Sequence, residues 1–218
     1  MKNTTLCWLV AATAACTTSL ARADIAYDSI STFAPPPTQG FLNLPVQADD
    51  ITLDAGANLT VTRIELLTRL RSMAPFTEFN GTMTLRLYAG GGFVPGALLA
   101  EATQPLVVAR GTDVLTGFDL NNFTLPGRTF FVGWFFTMSG QPNIFSDMWV
   151  RQNSATPSIG ISTINYFATG LGAPQWSVTN QGGSNYAVRI TTVPAPAALA
   201  VLALGALRTA RRRRRAIR

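Results

Sequence analysis

Met83, Leu85 and Leu87 alternate with Thr82, Thr84 and Arg86. Alternation of apolar and polar side chains marks a strand with one buried face, because successive residues of an extended chain point to opposite sides. Met83, Leu85 and Leu87 are therefore expected inside, with Thr84 and Arg86 facing out. Tyr186, Val188 and Ile190, separated by Ala187 and Arg189, repeat the pattern late in the chain. Along residues 59–70 the alternation changes phase: Leu59 and Val61 point one way, Ile64 and Leu66 the other. One extra residue within a strand has this effect, which predicts a β-bulge near Thr62-Arg63. Thr129–Met138 is apolar on both faces, the pattern of a central strand covered on both sides. Shorter strands are expected at 25–30, 46–53, 97–102, 106–109, 115–120, 123–125, 145–151, 160–167 and 176–179, with Gly, Pro and Asn between them. No 3.6-residue apolar period is sustained anywhere. The expected fold is all-β, a single β-sandwich of jelly-roll type over residues 24–192.

The two ends read differently. Residues 1–23 have the form of a signal peptide: Lys2, an apolar stretch over 6–15, and the small-x-small site Ala21-Arg22-Ala23, so that a mature chain begins at Asp24. Lipoprotein processing at Cys16 is a rival, but the leucine usual three positions upstream is missing. Residues 193–218 fall into three parts. Val193-Pro194-Ala195-Pro196 is held extended by its prolines. Residues 197–207 form a short apolar run, and Arg211, Arg212, Arg213, Arg214 and Arg215 form a basic block. As a helix over 197–210 the run is only ~21 Å long at ~1.5 Å per residue, short of a ~30 Å hydrocarbon core. Its Leu and Val residues contribute on the order of −2 to −3 kcal/mol of insertion, less than a dependable permanent anchor needs. The arginines would stay on the cytoplasmic side. The reading is a short hydrophobic helix inserted transiently beside a protease-accessible segment; a plain C-terminal anchor and a nucleic-acid-binding tail are its rivals. An export signal at the other end speaks against nucleic acid.

This ordered tail resembles the bacterial PEP-CTERM sorting signal, in which a Pro-Glu-Pro motif precedes a short hydrophobic helix and a basic cluster. Pro194 and Pro196 match the two prolines, and Ala195 stands where the family has Glu. The resemblance implies an exosortase-like membrane protease as partner and cleavage near the motif. It also implies an exported protein of the cell surface or extracellular matrix, held only transiently at the inner membrane. Three internal fragments, residues 48–53, 95–100 and 129–134, are similar to segments of exported domains that carry such tails.

Composition sharpens this. Nine of the 17 basic residues are Lys2, Arg22, Arg208, the arginine block and Arg218, which leaves eight arginines against all 11 acidic residues. The basic pI thus belongs to the tail, and residues 24–192 ask for no polyanionic partner. Both cysteines, Cys7 and Cys16, lie in the signal, so the domain has no disulfide to lean on. There is no histidine, and the sole lysine is Lys2. Ser-His-Asp and Cys-His arrangements, a Ser-Lys dyad, a lysine Schiff base and a His/Cys zinc site are therefore out of reach for the domain. Glu65, Glu78 and Glu101 are the only glutamates and show no pairing that a glycosidase would need. The expectation is a non-enzymatic protein. The alternative is a carbohydrate- or calcium-dependent binding module. For calcium the candidates are Asp49 and Asp50, with Asp28 or Asp54 nearby, against a capped turn or an exposed pair. For stacking on an extracellular polysaccharide they are Trp134, Trp149 and Trp176, against a place in the core, with Trp149 and Trp176 expected to be the more exposed. Asn58, Asn80 and Asn122 fall in Asn-x-Ser/Thr triplets that a bacterial sorting tail makes coincidental.

Overall fold

The computed structural model describes residues 24–35, 46–72, 74–140, 147–162, 166–169, 176–179 and 185–193. The expected signal segment with Ala21 and Ala23, and the tail from Pro194 through Arg211–Arg215, lie outside them. Every regular element among the described residues is a strand, and all strand-to-strand pairings are antiparallel. In chain order they are β1 (Asp24–Asp28), β2 (Val46–Thr52), β3 (Thr60–Leu70), β4 (Glu78–Ala89), β5 (Leu98–Ala109), β6 (Asp113–Thr124), β7 (Thr129–Met138), β8 (Met148–Val150), β9 (Gln152–Asn153), β10 (Tyr166–Thr169), β11 (Ser177–Thr179), β12 (Asn185–Tyr186) and β13 (Val188–Thr192).

One sheet runs β1-β13-β3-β6, with β8 also on β3; the other runs β11-β10-β2-β7-β4-β5. Their facing side chains form one core, in which Ile64, Leu66 and Ile190 of the first sheet join Met83, Leu85, Val132 and Trp134 of the second. β9 pairs with β12 where the first sheet forks. At the fork Leu67 N–H donates to Ala187 O, Ala187 N–H to Arg151 O, and Arg151 N–H to Leu67 O. Three strands separate there with no backbone group of the triangle left unpaired, as burial demands. Along one side the sheets are laced together by Asp54 N–H to Ala26 O and by segment 158–162, which bonds to both Asp28 and Thr52.

The phase change in β3 is a bulge. Val61 and Ile64 are both buried, three residues apart, and both neighbouring strands skip Thr62 in their register. The Thr62 hydroxyl donates to Thr191 O at 3.1 Å. β7 is covered on both faces: Phe130, Val132, Trp134 and Phe136 enter the core, while Phe131 lies under Tyr88 and Trp176 on the outer side. Gly133 leaves room there, since a Cβ would come within 2.8 Å of the Tyr88 ring.

Two expectations change. The segments 97–102 and 106–109 are one strand, β5, because Pro105 sits on a sheet edge where its missing N–H removes no ladder bond. Segments 115–120 and 123–125 are likewise one strand, β6, in which Asn121 and Asn122 absorb the irregularity with φ of 49° and 62°. Thr84 is on the outer face as the pattern predicts, yet only 5% exposed, its hydroxyl 2.9 Å from that of Thr103.

The outer face of the first sheet is ionic. Asp28, Arg189, Glu65, Arg63 and Asp119 alternate in sign across β1, β13, β3 and β6, with contacts of 3.4, 3.5, 3.2 and 2.7 Å. The exposed Arg63–Asp119 pair contributes roughly 0–1 kcal/mol, and for the largely buried Asp28–Arg189–Glu65 part desolvation offsets the attraction, so the core must carry the stability. Leu85→Ala should therefore cost ~2–5 kcal/mol, against about 0.5 kcal/mol or less for the exposed Leu98→Ala. Urea unfolding of both variants is the measurement, and equal losses would contradict the assigned faces.

Candidate functional site

Asp49 is the most unusual residue of the domain. Counting back from Ile51 and Leu53 by twos puts it on the inner face of β2, and it is 1% exposed there. Its Oδ2 accepts the Tyr186 N–H at 3.2 Å, across the gap between the two sheets. Tyr186 in turn donates its hydroxyl to Gln47 Oε1 at 3.0 Å and sets its ring edge-on to Trp134 at 4.5 Å between centroids. Ser162 Oγ lies 3.4 Å from Asp49 Oδ1 and 3.1 Å from Asn185 Oδ1. Its hydroxyl has one proton and cannot donate to both. A protonated Asp49 resolves this by donating to Ser162, which then donates to Asn185. The electrostatics agree: burial first, and the charge of Asp50 second, push the Asp49 carboxyl well above the usual Asp range. Burial and the nearness of Asp49 also push the Tyr27 hydroxyl up.

Around this group, side chains satisfy backbone that the forked strands leave open. Ser29 Oγ accepts from Val188 N–H at 2.9 Å, with Tyr186 O 2.6 Å away. Asn153 donates to Ser29 O at 2.5 Å and accepts the amides of Ala34 and Ala155. The cluster is buried and closed, which suits holding two sheets together. The sequence carried one signal for it, the inward parity of Asp49; nothing in it pointed to Ser162 or Asn185, which are distant in the chain.

The expected calcium pair is not brought together. Adjacent residues of a strand face opposite ways, so Asp50 lies on the outer face while Asp49 lies inside. Asp49 is thus neither an exposed carboxylate nor a turn cap. The nearby candidates are occupied locally: Asp28 Oδ1 accepts the amides of Ile30 and Ser31, and Asp54 Oδ2 accepts that of Gly56. Among the described residues no three His, Cys, Asp or Glu side chains form a group that could hold a metal ion. The glutamates are dispersed, Glu65 on Arg63 and Arg189, Glu101 on Arg86, and Glu78 at the exposed start of β4.

The tryptophans part as well. Trp134 is core. Trp149, on β8, is half-buried on the outer side of the first sheet, since its neighbours Met148 and Val150 point inward. Trp176 is half-buried on the outer side of the second sheet, edge-on to Tyr88 at 5.2 Å. The two stand on opposite faces and cannot share one ligand platform. Beside Trp176 and Tyr88 the same face carries Arg86, stacked 4.8 Å over Phe135 and paired with Glu101 at 2.6 Å.

The third feature is where the chain enters and leaves. Asp24, the expected first residue after the signal, is paired with Thr192, and Val193 N–H donates to Thr60 O. No protein family, curated protein or solved structure matches the chain.

A raised Asp49 pKa has a consequence of known sign. The folded state holds a proton that the unfolded state releases above about pH 3.9, so this residue withdraws stability as pH rises from there toward its folded pKa. Asp49→Asn keeps the hydrogen bonds and removes the titration. Its melting temperature relative to wild type should climb between pH 4 and pH 7. A difference that stays constant across that range would show that Asp49 does not titrate in this window.

Proposed function

We propose that this chain is an exported, non-enzymatic protein of the cell surface or extracellular matrix, delivered by the signal at 1–23 and sorted by the tail at 193–218. The observation that supports the reading is that, among the described residues, strand β13 ends at Thr192 and Val193 still bonds to β3, directly before the Pro-Ala-Pro segment that the sequence assigns to sorting. Cuts at both boundaries would leave every described strand whole. The domain itself is a β-sandwich of jelly-roll type. The order β1-β13-β3-β6 opposite β2-β7-β4-β5 supports this, being the order of an eight-stranded antiparallel ribbon wrapped into two layers. β10 and β11 extend the second sheet.

In this mechanism the apolar run holds the chain in the inner membrane, Arg211–Arg215 prevent its passage, and an exosortase-like protease cuts at Val193, Pro194, Ala195 or Pro196. Intact mass of the protein from membrane and secreted fractions is the test. The expected product starts at Asp24 and ends near the Pro-Ala-Pro motif. Serine in place of Arg211–Arg215 should release full-length chain, and Pro194→Ala with Pro196→Ala should leave it uncut in the membrane. Recovery of the surface protein with Arg218 still attached would reject sorting in favour of a plain anchor.

A second reading, a carbohydrate-binding module on the same address, is favoured by the partly exposed Trp176, held edge-on to the buried Tyr88 on the face that also carries Arg86. Stacking on the apolar face of a sugar needs an exposed aromatic ring, which Trp176 in part provides. On a glycan array any signal should then fall in Trp176→Ala and persist in Trp149→Ala; equal loss in both would exclude the Trp176 face as the platform.

A further inference from the structure

Among the described residues, most of the exposed large apolar side chains belong to the end of the domain that carries Asp24 and Val193. The contacts that define this end form a chain. Asp24 pairs with Thr192, Val193 N–H donates to Thr60 O, and Leu125 N–H donates to Leu59 O. Leu53 N–H donates to Arg128 O, and Arg128 donates to the carbonyls of Asp54 and Ala57. Gly90, where β4 stops, lies directly against Thr129, where β7 starts. The β4–β5 loop, residues 90–97, therefore projects from the same end as both chain termini of the domain. At its tip Phe93 is 96% exposed, with Val94 and Leu98 also exposed; Ile25 follows Asp24, and Ile161 flanks the end of β2.

The loop is built to hold that tip out. Its base is clamped by Ala89 N–H to Ala97 O at 2.8 Å and Gly96 N–H to Ala89 O at 3.0 Å. Gly91 turns the backbone at a φ of 93°, a conformation open to glycine. An exposed phenylalanine forgoes on the order of 1.5–3 kcal/mol of burial, and a cluster of such residues marks a contact surface.

The length of the tail says what that surface meets. Pro194, Ala195 and Pro196 alone separate Val193, fixed to β3, from the apolar run at Ala197. Three residues and their flanking links span at most ~14 Å at ~3.6 Å per residue. An apolar run seated in a bilayer thus holds this end of the domain against the headgroups. Asp24, Asp54 and Arg128 provide no basic patch there, so apolar insertion rather than charge must make the contact.

We propose that the end of the domain bearing both termini is a membrane-contacting surface, with Phe93 and Val94 at the tip of the β4–β5 loop inserting into the outer surface of the bilayer in which the tail is held. This rests on the tail reading above. In the held precursor it would orient the domain and fix the distance of the Pro-Ala-Pro segment from the membrane.

The test uses the full chain with Cys7→Ser and Cys16→Ser, so that each added cysteine is unique. An environment-sensitive fluorophore is placed at Phe93→Cys, at Leu202→Cys in the tail, or at Thr112→Cys in the β5–β6 turn at the opposite end. Each is reconstituted in phosphatidylethanolamine–phosphatidylglycerol vesicles with and without nitroxide-labelled lipid. Emission at 93 and 202 should shift to the blue and be quenched by the nitroxide, at 112 neither, and added salt should not reverse it. Quenching at 202 without quenching at 93 overturns this inference and leaves the tail reading standing. Quenching at neither overturns both. Equal quenching at 112 overturns the orientation, and a blue shift at 93 without vesicles assigns the loop to self-association instead.

Discussion

The pairing of the first strand with the last is the constraint on which the structure depends. β1 contributes five residues and, among the described residues, has one strand partner, β13, which itself is held on its other side by β3. Through that pairing Ile190 and Tyr27 reach the core, Ser29 reaches the amide of Val188, and Asp28 reaches Arg189. The chain has no disulfide in this domain to perform the closure, so a ladder between residues more than 150 positions apart performs it. Such contacts are slow to form, because loop closure must precede any gain from the pairing. Folding of the domain therefore cannot be complete until the chain has been delivered at least to Val193.

The buried polar cluster belongs to the same closure. A fork in a sheet exposes amides and carbonyls that a regular ladder would have paired, and inside a protein each must find a partner. Ser29, Asp49 and Asn153 supply them, while Ser162 and Asn185 extend the cluster through side-chain contacts with Asp49 and with each other. The cost of placing a carboxyl there is reduced by keeping its proton. The cluster is thus accounted for by architecture, and the proposed contacts fall instead on open surfaces, the outer aromatic face of the second sheet and the end bearing Asp24 and Val193.

What the sequence made legible follows from how local each signal is. Alternation in β4 and β13, the phase change at Thr62 and the two-sided apolar strand β7 are properties of neighbours in the chain, and the structure repeats them. Pro105 and the Asn121-Asn122 pair look like strand ends locally, and only a free sheet edge and an irregularity within β6 make them compatible with continuous strands. The candidate ligands needed more. Asp49 and Asp50 are adjacent in sequence and therefore opposed in a strand, while Trp149 and Trp176 lie on different sheets, a fact no spacing encodes. Composition was legible without any structure: the chain has no histidine, and its lysine and cysteines, Lys2, Cys7 and Cys16, all lie within the first 16 residues.

The most direct measurement is of β13 as the closing element. A chain ending at Val193 should melt in the same single cooperative transition as the chain with its full tail, followed by far-UV circular dichroism. A chain ending at Ala187, which lacks β13, should show no cooperative transition. Retention of the cooperative melt after loss of β13 would contradict the account, because the domain would then close without the strand that brings its two ends together.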